Sequence, residues 1–68
     1  MKNWTKVFED QNQIRVEIVR GVLEDKGIAA FILNKKETVY QLNGTFEVLV
    51  PRDESINALQ LIQHEITF

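Results

Sequence analysis

Several residue types that build compact chemical sites are missing or rare in this sequence. It has no cysteine, one histidine and one proline. Thiol nucleophiles, disulfide bonds and cysteine-based zinc or redox sites are therefore excluded. The single imidazole would need further partners to form a metal site or a catalytic triad. We expect no metal ion and no cofactor.

Positive charge and long apolar runs are also scarce. Eight lysines and arginines stand against ten acidic residues, for a net charge of −2, and the only basic pair, Lys35-Lys36, is followed by Glu37. Nucleic-acid-binding proteins usually carry a stripe of basic residues. The distribution of lysines and arginines in this sequence does not indicate such a stripe. The longest apolar run, residues 28–33, is too short to span a bilayer, and residues 1–4 lack the apolar core of a secretion signal. We therefore expect a cytoplasmic protein without nucleic-acid or membrane partners.

The length and the apolar content indicate one small globular domain. The chain has 68 residues, of which 44% are hydrophobic, so we predict a single domain over residues 1–68. At this size, the free energy of apolar burial and an ordering cost of roughly 1.5 kcal/mol per residue about cancel. Disulfides, metals and self-association are the usual supports, and composition leaves little room for the first two. It therefore favours association with another chain.

The first half of the chain predicts a strand followed by a helix. The segment Trp4–Glu9 is predicted to be a strand, and its alternate residues divide between two faces: Trp4, Lys6 and Phe8 on one, and Thr5, Val7 and Glu9 on the other. Asp10 then fits a helix N-cap, and the pattern favours a helix over Gln11–Lys26 that ends at Gly27. Residues 14–18 alternate with period two, which leaves a strand open there, but the apolar residues that follow have helical spacing.

A glycine interrupts this predicted helix. Gly21 lies near its middle, where glycine costs about 1 kcal/mol relative to alanine. We expect close packing against a neighbouring strand to be the reason.

The second half predicts two strands and a second helix. Residues 28–33 are apolar on both faces, as in a strand that is covered from two sides. Asn43-Gly44 is typical of a type I′ turn, and the strand that follows it runs over Thr45–Val50 and ends at Pro51. The second helix begins near Asp53, which we expect to be its N-cap.

The order of these elements is strand, helix, strand, strand and helix. It predicts an α+β, ferredoxin-like split β-α-β fold, in which both helices cover one face of an antiparallel sheet. Residues 65–68 either continue the last helix or form a short fourth strand. Both alternatives are compatible with this fold class.

The sequence also resembles a known family along most of its length, roughly Trp4 to Ile62. The matching features are an early aromatic strand, a glycine-terminated helix, a polar segment after the second strand and a proline-terminated third strand: Trp4, Val7 and Phe8; Leu23-Glu24-Asp25-Lys26-Gly27-Ile28; Leu33-Asn34-Lys35-Lys36 with Tyr40; and Val48-Leu49-Val50-Pro51 before a helix with Ala58. They resemble the putative prokaryotic signal-transducing protein family, placed near the nitrogen-regulatory PII-like folds. The resemblance implies the fold and a signalling role, and it implies no catalytic residues. The cysteine-rich metal-binding tail of some relatives is not in this sequence.

The predicted sheet has more apolar area than two helices can cover. Its second face carries large apolar side chains together with the charged residues Lys6 and Glu47. We predict that the apolar side chains of this face form a partner interface: Trp4, Phe8, Phe31, Leu33 and Leu49. Two alternatives stay open. The tail with Ile66 and Phe68 folds back over part of this face, or the two faces of one strand are exchanged.

Another group of residues predicts a different kind of site. Asn34, Lys35, Lys36 and Tyr40 form a compact polar and aromatic cluster on a predicted loop, and loops carry function more often than cores do. Arg15 lies near the start of the first helix, where it either extends to water or contacts an anion. These residues predict a ligand loop for a small ligand or anion, as an alternative to a solvated hairpin tip.

The function that follows is a non-enzymatic binding or regulatory module. It forms a homodimer or docks a protein through the helix-free sheet face or the apolar edge strand at residues 28–33. The alternative is a small-ligand or anion sensor that uses the segment Asn34–Tyr40. We do not expect an enzyme, because no nucleophile–base pair is apparent. His64 is expected at the surface near the end of the second helix.

Overall fold

Two helices and three strands make up the structure, a computed structural model that describes residues 3–34 and 44–68. In chain order they are β1 (Trp4–Asp10), α1 (Gln13–Asp25), β2 (Phe31–Asn34), β3 (Phe46–Pro51) and α2 (Ser55–Glu65), with one turn of 3-10 helix at Arg52–Glu54 before α2. The order β-α-β-β-α is the predicted α+β, ferredoxin-like one. Neither helix of these described ranges is long and apolar enough to cross a membrane.

The three strands form one antiparallel sheet in the order β1-β3-β2. The central strand β3 pairs with both neighbours, so β1 and β2 run parallel to each other with β3 between them. This is the split β-α-β arrangement, in which α1 connects two strands that do not touch. β3 is also the most buried strand, since Phe46, Val48 and Val50 are all buried.

A β-bulge in β1 changes which residues share a face. Lys6 pairs with Leu49 and Phe8 pairs with Val48, so β1 has one residue more than β3 between these pairs. Strand residues normally alternate between the two faces of a sheet. Because Val7 is an extra residue, every later residue of β1 lies on the face opposite to the one that regular alternation would give it. Val7 and Phe8 both pack against the core.

The helices lie together on one side of the sheet. The buried residues of the helices and of β3 form a single cluster together with Ile28, which follows α1: Val16, Val19, Leu23, Ile28, Phe46, Val48, Val50 and Ala58. α1 contributes three of these with helical spacing, and α2 contributes only Ala58 as a fully buried residue. The prediction that both helices cover one face is confirmed.

The start of α1 differs from the prediction. The N-cap is Asn12, whose side-chain oxygen accepts a hydrogen bond from the backbone N–H of Ile14 at 2.9 Å. Asp10 was predicted as the cap, but it is the last residue of β1, and its carboxylate accepts from the backbone N–H of Asn12 at 2.8 Å. Both residues are natural N-cap types, and the sheet pairing of Asp10 with Phe46 decides between them.

The end of α1 is the predicted glycine stop. Gly27 has φ +87°, and its N–H donates to the carbonyl of Glu24 at 3.0 Å, while the N–H of Ile28 donates to the carbonyl of Leu23 at 2.9 Å. These two bonds form a Schellman motif, which requires a left-handed residue at the position of Gly27. The motif turns the chain sharply, so that Ile28 returns to the core.

Gly21 does not pack against a strand, and that prediction is wrong. The residue is exposed on α1, and a Cβ atom added there would meet nothing within 4 Å. Its backbone is not in the left-handed region. No contact inside the described protomer accounts for a glycine at this position.

The remaining boundaries are also corrected in part. β2 begins at Phe31 rather than Ile28 and includes Asn34, which was assigned to a loop. α2 is preceded by a 3-10 turn, and its N-cap is Glu54, without a side-chain capping bond, rather than Asp53. The tail leaves the helix at Ile66 in extended conformation and pairs with no described strand. The predicted Asn43-Gly44 turn lies partly outside the described residues.

Candidate functional site

The face of the sheet that points away from the helices is the candidate interface, and we call it the open face. Its members follow from the strand register, which places every second residue of β3 and its partners on this side. They are Trp4, Lys6, Glu9, Phe31, Leu33, Glu47, Leu49 and Pro51.

Two exposed aromatic rings form the centre of the open face. Trp4 is 43% exposed and Phe31 is 54% exposed, and their ring centroids lie 6.2 Å apart at an interplanar angle of 54°. This tilted geometry is a favourable one for aromatic pairs. The two rings and Leu49 line an apolar depression of about 240 Å³. Leu49 is the cross-strand partner of Phe31. Trp4, Phe31, Leu33 and Leu49 therefore lie on the predicted face, and Leu33 is 36% exposed.

Three charges lie beside this apolar centre. The ammonium group of Lys6 donates to the carboxylate of Glu9 at 2.9 Å and lies 3.9 Å from that of Glu47. The hydrogen bond to Glu9 and the negative charge of that group, with a smaller contribution from Glu47, raise the pKa of Lys6 above its ordinary value. In a regular strand, positions 6 and 9 would lie on opposite faces, so the bulge is what brings Lys6 and Glu9 together.

Phe8 was predicted on the open face, and the register places it on the other side. It pairs with the buried Val48 and packs against the core. Its ring lies 6.0 Å from that of Phe68, so the tail covers it. The exchange of faces within one strand, left open above, therefore occurs in β1. The tail folds back onto Phe8 on the side of the sheet that faces the core, and not over the open face as the other alternative had it. The interface prediction keeps Trp4, Phe31, Leu33 and Leu49.

Most of the predicted ligand loop, namely Lys35, Lys36 and Tyr40, lies outside the described residues. Asn34 is the last residue of β2, is exposed, and pairs with Phe46 of β3. Phe46 in turn pairs with Asp10. Asn34 and Asp10 are therefore at the same end of the sheet, about 10 Å apart across two strand spacings.

Arg15 is held at this same end of the sheet. One guanidinium nitrogen lies 3.4 Å from the carboxylate of Asp10, and the guanidinium carbon lies 5.2 Å from the centre of the Phe68 ring. Arg15 thus links the start of α1 to the end of β1 and to the tail. The fold brings Arg15 and Asn34 to the same end of the sheet, although the carboxylate of Asp10 offsets the positive charge of Arg15.

A polar groove between the end of α1 and one side of α2 was not predicted. It has a volume of about 570 Å³ and is lined by Lys26, Gly27, Ile28, Glu54, Asn57, Gln60, Leu61, His64 and Glu65. His64 is exposed at the last turn of α2, as predicted. The two walls are separated by about thirty residues of sequence, and no local pattern could have brought them together. Within residues 3–34 and 44–68, no three histidine or acidic side chains are close enough to hold a metal ion.

Comparison with known proteins finds one match for this chain, to a family model. No curated protein and no solved structure matches the chain. The family model described as "Putative prokaryotic signal transducing protein" matches residues 4–65, from the first residue of β1 to the last residue of α2. The chain belongs to this family, as its sequence features indicated.

Proposed function

We propose that this protein is a non-enzymatic signalling module that works by binding a protein through the open face, and that its first partner there is a second copy of the chain. The observation that carries the proposal is the pair Trp4 and Phe31, exposed side by side at 6.2 Å on the helix-free side of the sheet. Aromatic residues are enriched at the centres of interfaces, where they supply large contact area for little side-chain entropy.

The charges of the open face support a second copy as the partner. Lys6 lies between Glu9 and Glu47, so the face carries both signs within one row of side chains. A face of a single sign would repel its own copy, whereas a face that carries both signs allows the lysine of one protomer to pair with a glutamate of the other. Such rim contacts orient the two sheets and add little affinity.

The exposed area of the apolar centre sets the expected affinity of the dimer. Trp4 and Phe31 leave about 200 Å² exposed between them, given side chains of about 200 to 250 Å². A stable interface buries about 800 Å² on each partner. The aromatic pair is therefore the centre of a weak interface that Leu33, Leu49 and the charged rim complete, and we expect a reversible monomer–dimer equilibrium.

Sedimentation velocity over roughly 1 to 500 μM protein tests this proposal, a range that corresponds to about −8 to −4.5 kcal/mol of binding free energy. We expect a concentration-dependent shift from monomer to dimer, accompanied by a blue shift of the fluorescence of Trp4, the only tryptophan. Phe31→Ala should raise the dissociation constant of the dimer at least tenfold. This substitution leaves Trp4 in place as the fluorescent probe. Ile56→Ala is the matched control, because Ile56 is a 70%-exposed apolar residue on α2. A monomer at every concentration, or equal effects of both substitutions, would contradict the proposal.

A second candidate function rests on one relationship, the presence of Arg15 and Asn34 at the same end of the sheet. This end could receive a small anionic ligand that competes with Asp10 for Arg15. Titration with inorganic phosphate, followed by amide chemical shifts, tests it. Shifts at residues 12–15 and at Asn34 that disappear in Arg15→Gln would support the sensor, and an unchanged spectrum at 10 mM phosphate excludes it for this ligand.

A further inference from the structure

The polar groove between the end of α1 and one side of α2 has the size and the lining of a small-ligand site. Its volume of about 570 Å³ lies within the roughly 300 to 1,000 Å³ of small-molecule pockets. Ile28, which is buried, and Leu61, which is half-buried, supply apolar contact area. The polar residues that α2 contributes lie on one side of that helix: Glu54, Asn57, Gln60, His64 and Glu65.

The charged side chains of the groove lack close partners within the protein. On other surfaces, three cations pair with carboxylates at 2.9 to 3.4 Å: Lys6, Arg15 and Arg20. Within residues 3–34 and 44–68, the side chains of Lys26, His64 and Glu65 form no hydrogen bond or ion pair. Glu54 is half-buried, and its carboxylate accepts from the amide of Asn57 at 3.5 Å, a long distance for a hydrogen bond. These groups are therefore available to a ligand.

The topology decides which charges are neighbours along the groove. β3 is antiparallel to β1 and β2, so it ends at the end of the sheet where they begin. α1 leads to the start of β2, and α2 follows the end of β3, so Lys26 and Glu54 lie at the same end of the groove. Glu65 is at the far end of α2, about 16 Å from Glu54 along the helix axis. A ligand that contacts both carboxylates must be extended.

The charge balance of the lining defines the chemistry of that ligand. The lining carries one lysine and two glutamates, with its histidine counted as neutral at pH 7. The exposed charged residues next to these in sequence add one net negative charge: Asp25, Arg52 and Asp53. A purely anionic ligand would meet two carboxylates, and a purely cationic one would leave Lys26 without a partner. Two cationic groups and one anionic group match every charge of the lining.

We propose that the polar groove binds a free basic amino acid, such as arginine or lysine. Its carboxylate pairs with Lys26 and its α-ammonium group with Glu54, because these two charges are adjacent both in the ligand and at this end of the groove. The aliphatic part of its side chain lies along Leu61, and the terminal cation pairs with Glu65. Most of these ion pairs are open to solvent, so we expect a dissociation constant in the millimolar range. This proposal goes beyond protein binding by the open face and does not depend on it.

Amide chemical shifts of the full chain test the proposal, in titrations with L-arginine and with L-lysine to about 50 mM at constant ionic strength. We expect saturable shifts at residues 26–28 and 54–65. Two relatives of arginine separate its charges, because agmatine lacks the carboxylate and citrulline lacks the guanidinium cation. Each should bind about fivefold more weakly than arginine, which is the effect of one exposed ion pair.

Matched substitutions assign each charge to a residue. Lys26→Gln should weaken the binding of arginine about fivefold and leave that of agmatine unchanged, since agmatine has no carboxylate to pair with it. Glu65→Gln should weaken the binding of arginine by about the same factor and leave that of citrulline unchanged. Arg52→Gln removes an exposed cation that is outside the lining, so it is the control and should change neither affinity.

Several results would overturn the proposal. These are the absence of saturable shifts with both arginine and lysine, equal affinities for arginine, agmatine and citrulline, and an equal loss of arginine and agmatine binding in Lys26→Gln. Phe31→Ala, on the open face, should leave arginine binding unchanged while it weakens the dimer. Loss of arginine binding in this variant would place the ligand outside the groove and would also overturn the proposal.

Discussion

Glu9 of β1 and Glu47 of β3 lie directly opposite each other in the antiparallel sheet. Like charges in this position destabilise a sheet unless a cation lies between them. Lys6 supplies that cation from the same strand as Glu9, at 2.9 Å from one carboxylate and 3.9 Å from the other. The arrangement exists because the bulge at Val7 puts Lys6 and Glu9 on one face.

The first prediction concerns the pH dependence of this triad. Lys6→Gln should lower the free energy of unfolding at pH 7 by a small, salt-sensitive amount, because it leaves Glu9 and Glu47 facing each other. The pKa of Lys6 is raised in the folded protein above 10.5, chiefly by the hydrogen bond to Glu9. A raised pKa means that the stabilisation is complete below the unfolded pKa and is lost as the pH rises through the folded pKa.

The difference between wild type and Lys6→Gln should therefore be constant from pH 7 to 9 and shrink above pH 10.5. Urea denaturation at several pH values measures it. The matched control is the same lysine substitution in a Glu9→Gln, Glu47→Gln background, where it should have little effect at any pH. A difference that persists unchanged at pH 11.5 would show that the charge of Lys6 is not its cause.

The second prediction compares two phenylalanines on opposite sides of the sheet. Phe8→Ala should lower the free energy of unfolding by about 2 kcal/mol, less than the 3 to 5 kcal/mol of a fully buried phenylalanine, because Phe8 is only half-buried. Phe31→Ala should cost less than about 1 kcal/mol, because its ring is more than half exposed. Denaturation of both variants at a concentration that keeps the protein monomeric decides this. Equal losses would mean that the bulge does not exchange the faces of β1.

The third prediction uses two leucines, one on each helix. Leu23 is fully buried in the core, so Leu23→Ala should cost about 2 to 5 kcal/mol. A domain of this length has a total free energy of unfolding of about 3 to 10 kcal/mol. The Leu23→Ala variant should therefore be largely unfolded or have a much lower melting temperature than the wild type. Leu59→Ala, at a residue that is 47% exposed, should cost less than about 1 kcal/mol. Circular dichroism melts of both variants provide the comparison, and a Leu59→Ala loss as large as that of Leu23→Ala would contradict the core described here.

The fourth prediction separates the two candidate caps of α1. Asn12→Ala should cost about 1 kcal/mol, since the backbone N–H of Ile14 loses its acceptor, and Asn12→Asp should restore the stability. Asp10→Asn keeps an oxygen that accepts from the N–H of Asn12 but removes the charge that holds Arg15. We expect it to cost less than Asn12→Ala. The reverse order in chemical denaturation would mean that Asp10 is the cap.

The local pattern of the chain was enough for most elements. Local features predicted the observed order of elements: the strand segments Trp4–Glu9 and Thr45–Val50, the helical spacing around Val19 and Leu23, and the stop at Gly27. Each of these signals acts within a few residues, through side-chain periodicity or a left-handed glycine. The placement of Trp4 and Phe31 on the helix-free face followed from assigning alternate residues of each strand to opposite faces of the sheet.

The predictions that were wrong or missing have a different origin, because each depends on contacts between distant parts of the chain. Asp10 and Asn12 are equally suited to cap a helix, and the pairing of Asp10 with Phe46 in the sheet selected Asn12. Gly21 was expected against a strand, but the orientation of α1 on the sheet leaves it at the surface. A groove between α1 and α2 has no counterpart in any local pattern, because its two walls are far apart in sequence.

What the amino-acid sequence determined by itself is the kind and the order of the elements and the apolar excess of a small α+β domain, because these depend on composition and on periodicity along one chain segment. The tertiary structure decided the faces. Val7 becomes an extra residue only when β1 pairs with β3, and that pairing places Phe8 against the core and Glu9 beside Lys6. Hydrogen bonds between strands set the register, and the register decides which side chains meet the solvent.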